Sequence, residues 1–234
     1  MIIAIDGPAG SGKSTVAARL ARDLGFLKLD TGAMYRAVAL LALERGVALD
    51  DAEALAELAA GTEITFEQTD GDAVLIFADG RDVSRAIRTP DVDAAVSHVA
   101  GVPGVRQAML SQQRAAADRC SVVAEGRDIC SVVFPNADVK VFLTADAGER
   151  ARRRVMQRHG ADAVEGPEME REVQLTRAAI EERDEQDARN LEALYGTSLE
   201  ASDDAVRIDS SSVPVEEVVT RIEALVAERQ VEGR

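Results

Sequence analysis

The residues whose types and spacing could do chemistry come first in the chain. Gly7-Pro8-Ala9-Gly10-Ser11-Gly12-Lys13-Ser14-Thr15 follows directly on the apolar run Ile2–Ile5. This is G-x-x-x-x-G-K-[ST] with a strand before it and a helix after it. Glycines let the backbone curl so that successive N–H groups point at one anion. Lys13 adds a positive charge for the terminal phosphates, and the Ser14 hydroxyl can ligate Mg²⁺. The following helix presents its positive end to the same phosphates. The stretch predicts a nucleoside triphosphate site.

Two further segments follow predicted strands, where ligands bind in open α/β sheets. One is Asp30-Thr31-Gly-Ala-Met-Tyr35-Arg36. An arginine near a helix start sits against the dipole, so Arg36 either shares its site with an anionic ligand or reaches to solvent. The other is Glu125-Gly126-Arg127-Asp128. An arginine beside an aspartate at a strand's carboxyl end could hold a phosphate together with a base or metal. A second Gly-Arg-Asp, at Gly80-Arg81-Asp82, follows no core strand and reads as a solvated turn. Arg150, Arg152, Arg153, Arg154 and Arg158 form a basic run on a helical stretch. It reads as a charged solvated face or as a lid that closes over a transferring phosphoryl group. His98 reads as packed or surface, and His159 as a helix C-terminal charge before Gly160. No Ser-His-Asp set, metal cluster or paired glycosidase carboxylates emerge. A phosphate acceptor needs no general base, because its oxygen is already an anionic nucleophile.

The elements that must position these groups alternate between strand and helix, which predicts an α/β fold with a parallel sheet. Strands are expected at Ile2–Ile5, Leu27–Leu29, Val122–Ala124, Val139–Leu143 and Val206–Ile208. A helix from Lys13 to Leu24 should bury Val16, Leu20 and Leu24 and stop at Gly25. A second should start after Asp30-Thr31-Gly32, capped by Asp30 or Thr31, bury Met34, Val38 and Leu41, and end at Gly46. A last helix should begin near Ser212-Val213-Pro214 and bury Val218, Val219, Ile222, Leu225 and Val226. Residues 62 to 92 break the alternation. Ile64-Thr-Phe and Ala73-Val-Leu-Ile-Phe flank Thr69-Asp-Gly-Asp, an Asp-Gly hairpin signal. A small antiparallel sheet inserted into the core is expected there. Residues 148 to 195 read as charged helix, broken only at Gly160 and Gly166-Pro167.

Composition sets the outer bounds. The 234 residues suffice for one sizeable core, or a core with one insertion. A net charge of −15 argues against broad nucleic-acid binding, which needs a basic face. Only Lys13, Lys28 and Lys140 are lysines, so arginine carries nearly all the positive charge and suits bidentate phosphate recognition. Cys120 and Cys130 are too few for a disulfide framework and read as small buried hydrophobes in a reducing cytoplasm. No apolar stretch is long enough to span a membrane, and Asp6 interrupts the first apolar run, so that run reads as a core strand rather than a signal peptide. Nothing marks an exposed apolar seam, so a monomer is expected.

Taken together these motifs resemble the bacterial cytidylate kinases. The resemblance runs from Ile5-Asp-Gly-Pro-Ala-Gly-Ser-Gly-Lys-Ser-Thr15 through Asp30-Thr-Gly-Ala-Met-Tyr-Arg36, Val83-Ser and Ile87-Arg-Thr89. It continues through Glu125-Gly-Arg-Asp-Ile129, Val132-Val-Phe-Pro-Asn-Ala-Asp-Val-Lys-Val-Phe-Leu143 and Arg183-Asp184-x-x-Asp187. It implies a three-layer P-loop NTPase fold: a five-stranded parallel sheet, an inserted antiparallel NMP-binding segment and a helical lid. The implied core is 1–61, 93–147 and 200–234, with the insert at about 62–92 and the lid at about 148–199. The implied activity is γ-phosphoryl transfer from ATP, with Mg²⁺, to CMP or dCMP. Gly7 to Thr15 would bind ATP, and Lys13, Arg127, Arg153 and Arg154 would serve the transfer. Thr31, Arg36 and Arg127 would hold the CMP phosphate. Ser97, Arg106 and Asp128 would read the cytosine edge, Asp128 accepting from the exocyclic amine that uracil lacks. Asp184 and Asp187 would lie near the sugar or the closing arginine, with Arg189 beside them.

The chain departs from this family in three places. Where the family has an arginine three residues after Asp187, this chain has Asn190, preceded by Arg189. One residue along a helix turns a side chain by about 100°. The family's Ser-Pro-Leu segment is missing, and 191–204 is longer. Cys130 stands where a glycine is usual, and a positive φ there would strain it. These departures keep two other readings open: a phosphotransferase for a different small acceptor, and a non-catalytic nucleotide-binding regulator.

Overall fold

A computed structural model describes residues 1–69, 74–160 and 166–232. The centre is a five-stranded sheet of β1 (Ile2–Asp6), β2 (Leu27–Asp30), β6 (Val122–Gly126), β7 (Val139–Thr144) and β8 (Val206–Asp209). The spatial order is β2-β6-β1-β7-β8, and every pairing is parallel. All five expected strands are present; four run one residue beyond the expected end, and β6 runs two. β1 lies in the middle, so its carboxyl end is flanked by those of β6 and β7.

Alternation along β1 explains the layers. Ile3 and Ile5 face α1 (Lys13–Leu24) and α8 (Val215–Glu232), in a core shared with Val16, Leu20, Val141, Leu143 and Ile222. Ala4 faces the other way, toward α2 (Thr31–Arg45), α4 (Pro90–Ala100) and α5 (Pro103–Ala117). α1 ends at Gly25 in the left-handed conformation, as expected. Asp30 caps α2 by accepting from the Ala33 amide at 2.9 Å. From Ala33 to Ala42 only Arg36 escapes full burial, so this helix runs through the core rather than along its surface.

The small sheet consists of β3 (Ile64–Gln68), β4 (Val74–Ala78) and β5 (Arg81–Asp82), all antiparallel. The Asp-Gly turn expected between β3 and β4 lies outside the described residues. Ile64, Ile76, Ala78, Val83 and Ile87 join the same apolar cluster as α2, α4 and α5, as do Leu55 and Ala59 of α3 (Ala52–Ala60). The second Gly-Arg-Asp is therefore a short edge strand, not only a turn. Its Arg81 is exposed and pairs with Glu44 at 2.5 Å, away from the sheet's carboxyl ends.

The charged stretch folds as α6 (Ala147–His159) and α7 (Pro167–Tyr195), packed on a small cluster of Ala151, Val155, Val173 and Ile180. Two other expectations are corrected. Cys130 is buried, but Cys120 is exposed. Leu24 of α1 and Leu225 of α8 are only partly buried, while Val16, Leu20, Val218, Val219, Ile222 and Val226 are buried.

Candidate active site

The phosphate-loop backbone requires its glycines. Gly7 has φ +149°, and a Cβ there would lie 2.0 Å from the Leu143 carbonyl oxygen at the end of β7. Gly12 has φ +95° where α1 begins. Lys13 folds back so that its Nζ donates to the Gly7 and Pro8 carbonyls, both at 2.7 Å. Burial, reinforced by the nearby Arg127 charge, pulls its pKa down to about 7. The Ser14 hydroxyl accepts from Lys28 Nζ at 2.7 Å, and Lys28 lies 3.4 Å from the Glu125 carboxylate. Glu125 Oε1 is buried without a hydrogen-bond partner, and burial pushes this carboxyl upward.

The loop's Ala9 amide donates to Asp184 at 3.0 Å, so a carboxylate of α7 sits on one of the loop's N–H groups. Arg150 of α6 ties the same carboxylate at 2.6 Å and the Ala9 carbonyl at 2.9 Å. Arg127 follows β6 and links three parts of the site. It donates to the Gly7 carbonyl at 2.6 Å and to Asp187 at 3.0 Å, and lies 3.3 Å from Asp184. Burial alone would lower its pKa, but Asp187 and Asp184 outweigh it and keep the guanidinium charged.

A second arginine cluster surrounds Asp93, in the first turn of α4. Arg36 of α2 is bonded to Asp93 and donates to the Ile87 carbonyl at 3.1 Å. Arg154 of α6 reaches the same carboxylate at 2.9 Å, and Arg183 of α7 lies 3.6 Å away. Burial would raise the Asp93 carboxyl, but these guanidiniums hold it below the ordinary range. Burial, with Arg127 nearby, lowers Arg183 to about 10.

A third group holds the side chains expected to read a base. Asp128 and Arg106 form a buried ion pair. Ser97 donates to Asp187 at 2.9 Å, which joins this group to Arg127. Thr31 donates to the Glu125 carbonyl at 2.8 Å, beneath the arginines.

The structure thus brings Lys13, Ser14, Thr31, Arg36, Ser97, Arg106, Arg127, Asp128, Asp184, Asp187 and Arg154 into one cluster of polar side chains at the sheet's carboxyl ends. Arg153 stands on the phosphate-loop side, donating to Ser210 Oγ at 3.0 Å and to the Ser210 carbonyl at 2.6 Å. Arg189 does not join them. It is exposed on α7 and contacts Gln186 at 2.8 Å and Glu185 at 3.7 Å. One residue on, Asn190 points inward and donates to the Ser97 carbonyl at 2.9 Å, as the rotation per helical residue dictates.

The positive φ that would have strained Cys130 is absent. Among the described residues only Asp79 is a non-glycine with positive φ. Cys130 sits in a π-helical turn (Ile129–Val133), where burial raises its thiol pKa. Its amide and that of Ile129 both donate to Asp6, at 2.8 Å each. Asp6 was not anticipated as a site residue; buried at the end of β1, its carboxyl is pushed up to about 6 by desolvation. His98 is exposed, and His159 bonds Glu172 at 2.7 Å.

Sequence reasoning also left Lys28, Asp93, Arg150 and Arg183 without specific roles. The scarcity of lysine could have flagged Lys28, and the acidic first turn facing Arg36 is visible only once α2 and α4 pack together. No group of three or more His, Cys, Asp or Glu among the described residues could cage a metal. The Ser14 hydroxyl beside the Glu125 carboxylate, whose Oε1 accepts no hydrogen bond, suits instead an ion that takes most of its ligands from phosphates and water.

A family model described as "Cytidylate kinase" matches residues 3–228. The chain is 45% identical over 235 residues to a cytidylate kinase of Geobacter sp. (strain M21), covering 100% of this chain and 95% of that protein. It is 48% identical over 226 residues to the cytidylate kinase of Pelotomaculum thermopropionicum, covering 96% and 95%. A bifunctional pantoate ligase/cytidylate kinase of Synechococcus sp. (strain JA-2-3B'a(2-13)) is 46% identical over 223 residues, which are 94% of this chain and 39% of that longer protein.

Proposed function

The chain belongs to the cytidylate kinase family, and from that premise we propose how its side chains divide the work. The enzyme transfers the γ-phosphoryl group of ATP to CMP or dCMP, giving ADP and CDP or dCDP. The observation that carries the division is the placement of Arg127. It touches the phosphate loop at Gly7 and the α7 carboxylates Asp184 and Asp187 at once.

Residues Gly7 to Thr15 hold the ATP phosphates through loop amides and Lys13, which leaves the Gly7 and Pro8 carbonyls to do so. Asp184 leaves the Ala9 amide when a phosphate arrives. Thr31, Arg36 and Arg127 hold the CMP phosphate. Ser97, Arg106 and Asp128 face the cytosine edge, and Asp187 positions Ser97 and Arg127. An oxygen of the acceptor phosphate attacks the γ-phosphorus in line. The bond to the β,γ-bridging oxygen breaks, and ADP departs with that electron pair. No base is needed, so the side chains contribute position and charge: Lys13 and Arg127 from the core, Arg153 and Arg154 from the lid. Mg²⁺ bound at Ser14 would neutralise phosphate charge. Arg189 has no part in this division.

In this reading 1–61, 93–147 and 200–234 form the core, about 62–92 the NMP-binding insert and about 148–199 the lid. The enzyme works as a cytoplasmic monomer on small nucleotides, with no nucleic-acid or membrane partner. The net charge of −15 supports the first exclusion. For the second, no described helix is long and apolar enough to cross a membrane.

The test is ADP release with ATP, Mg²⁺ and each of CMP, dCMP, UMP, AMP and GMP. CMP and dCMP are expected to be preferred. Arg127→Ala should lower kcat/KM for CMP by about 10²–10³-fold while ATP still binds. Asp128→Ala should lower kcat/KM for CMP by about 10–100-fold and narrow the gap to UMP. Wild-type turnover by either variant would remove that residue from the site.

A further inference from the structure

We propose that Tyr195, the last residue of α7, is a positioning residue for Arg106, so that the lid helix itself sets discrimination between bases. The inference rests on the reading above, in which Arg106 and Asp128 face the base.

Every face of the Arg106 guanidinium has a partner. Its carbon lies over two phenol rings, 5.4 Å from the Tyr35 ring centre and 5.1 Å from that of Tyr195. Nε donates to the Tyr195 hydroxyl at 3.2 Å, Nη1 to the Ala100 carbonyl at 3.4 Å and Nη2 to Asp128. Tyr35 and Ala100 belong to the core and its adjoining helices. Tyr195 is the one partner delivered by α7.

A guanidinium with one edge on a carboxylate and nothing on the other can rotate about its stem. The Tyr195 hydroxyl on Nε, with the ring at cation–π distance, limits that rotation and so fixes the edge that a base would meet. Arginine stacked on aromatics in a desolvated setting is held more firmly than at an exposed site. Arg106 is 6% exposed, whereas Tyr195 remains 40% exposed. The tyrosine therefore adds little to the core, and its removal should be tolerated by the fold.

α7 also carries Asp184, Asp187 and Arg183, which touch the phosphate loop, Arg127 and Asp93. One rigid helix thus bears on the donor loop, the acceptor arginines and Arg106. A base that fails to satisfy Arg106 and Asp128 would disturb the seat of Tyr195, and with it the helix that closes the site.

The experiment measures CMP, UMP and ATP binding by calorimetry, and turnover, for wild type, Tyr195→Ala and Tyr195→Phe. Tyr195→Ala is expected to weaken CMP binding and raise its KM by about tenfold, and to shrink the preference for CMP over UMP by a similar factor. ATP binding and kcat at saturating CMP should stay within about twofold. Tyr195→Phe keeps the ring and loses the hydroxyl, and should fall about threefold short of wild type. Unchanged CMP affinity and base preference in Tyr195→Ala would overturn the proposal. So would an equal loss for CMP, UMP and ATP, which marks a merely structural role. A wild-type protein that binds ATP but no CMP would instead overturn the functional reading on which the proposal rests.

Discussion

Asp93 and Asp6 are two carboxylates pushed in opposite directions by their surroundings. Asp93 faces Arg36, Arg154 and Arg183, of which we propose that Arg36 holds the acceptor phosphate and Arg154 serves the transferring group. Sharing them with a resident anion weakens phosphate binding, so Asp93→Asn should lower the KM for CMP by about threefold, read from initial rates at fixed ATP. Asp6 has the contrary shift. Its pKa rises from 3.8 to about 6 through burial, against the two amides that favour its charge. The native state therefore holds this proton more tightly than the unfolded chain. The resulting stabilisation is present below about pH 4 and is lost as pH rises through 6. Asp6→Asn cannot titrate, so its melting temperature relative to wild type should improve between pH 4.5 and pH 7.5. A pH-independent difference would show that Asp6 is not shifted. Neither role is visible in sequence: Asp93 is an ordinary acidic residue of a helix's first turn, and Asp6 ends an apolar run. Each acquires its environment from residues more than fifty positions away.

At the scale of elements, turns and helix ends were legible where one residue type is required. Gly25 has φ +68° and open space around it, while Gly7 has φ +149° and the Leu143 carbonyl 2.0 Å from any added Cβ. Gly25→Ala should therefore cost only the left-handed backbone penalty, about 1–2 kcal/mol, and leave ATP binding intact. Gly7→Ala must push the phosphate loop off the end of β7, and should lose measurable ATP binding as well as melting temperature. Equal effects in both variants would mean that the loop does not rest on β7. The π-helical turn at Ile129–Val133 had no such signature. Its apolar run could continue a strand or start a helix; its course is fixed by the Asp6 carboxylate, accepting from two successive amides, and by Arg114, donating to the Val132 and Val133 carbonyls.

Across the whole molecule, the α6–α7 pair is joined to the sheet and its helices through a set of polar contacts. α6 and α7 share a small apolar cluster of their own, while Arg150, Arg154, Asp184 and Asp187 form the links to the loop, α4 and Arg127. Elements with few apolar contacts open more readily than a buried sheet. Amide hydrogen exchange should thus be faster in α6 and α7 than in β1 and β6, and should slow in the helices when ATP and CMP are added together. Equal protection in α6, α7 and the sheet without nucleotide would contradict a helix pair held by charge, and with it the proposed lid.

The sequence by itself determined the phosphate loop, the parallel sheet and most of the residues around the cleft, because each is set by local requirements. Glycines at fixed spacing allow one loop, alternation of strand and helix allows few topologies, and an arginine after a strand's carboxyl end can reach only one side of the sheet. The inward turn of Asn190 in place of Arg189 was decided by the packing angle of α7, which no single-residue rule carries. The sharing of Asp93 by three arginines and the enclosure of Arg106 by Tyr35 and Tyr195 likewise belong to the tertiary structure alone. Such contacts join side chains from helices far apart in the chain, and they exist only once the sheet has brought those helices together.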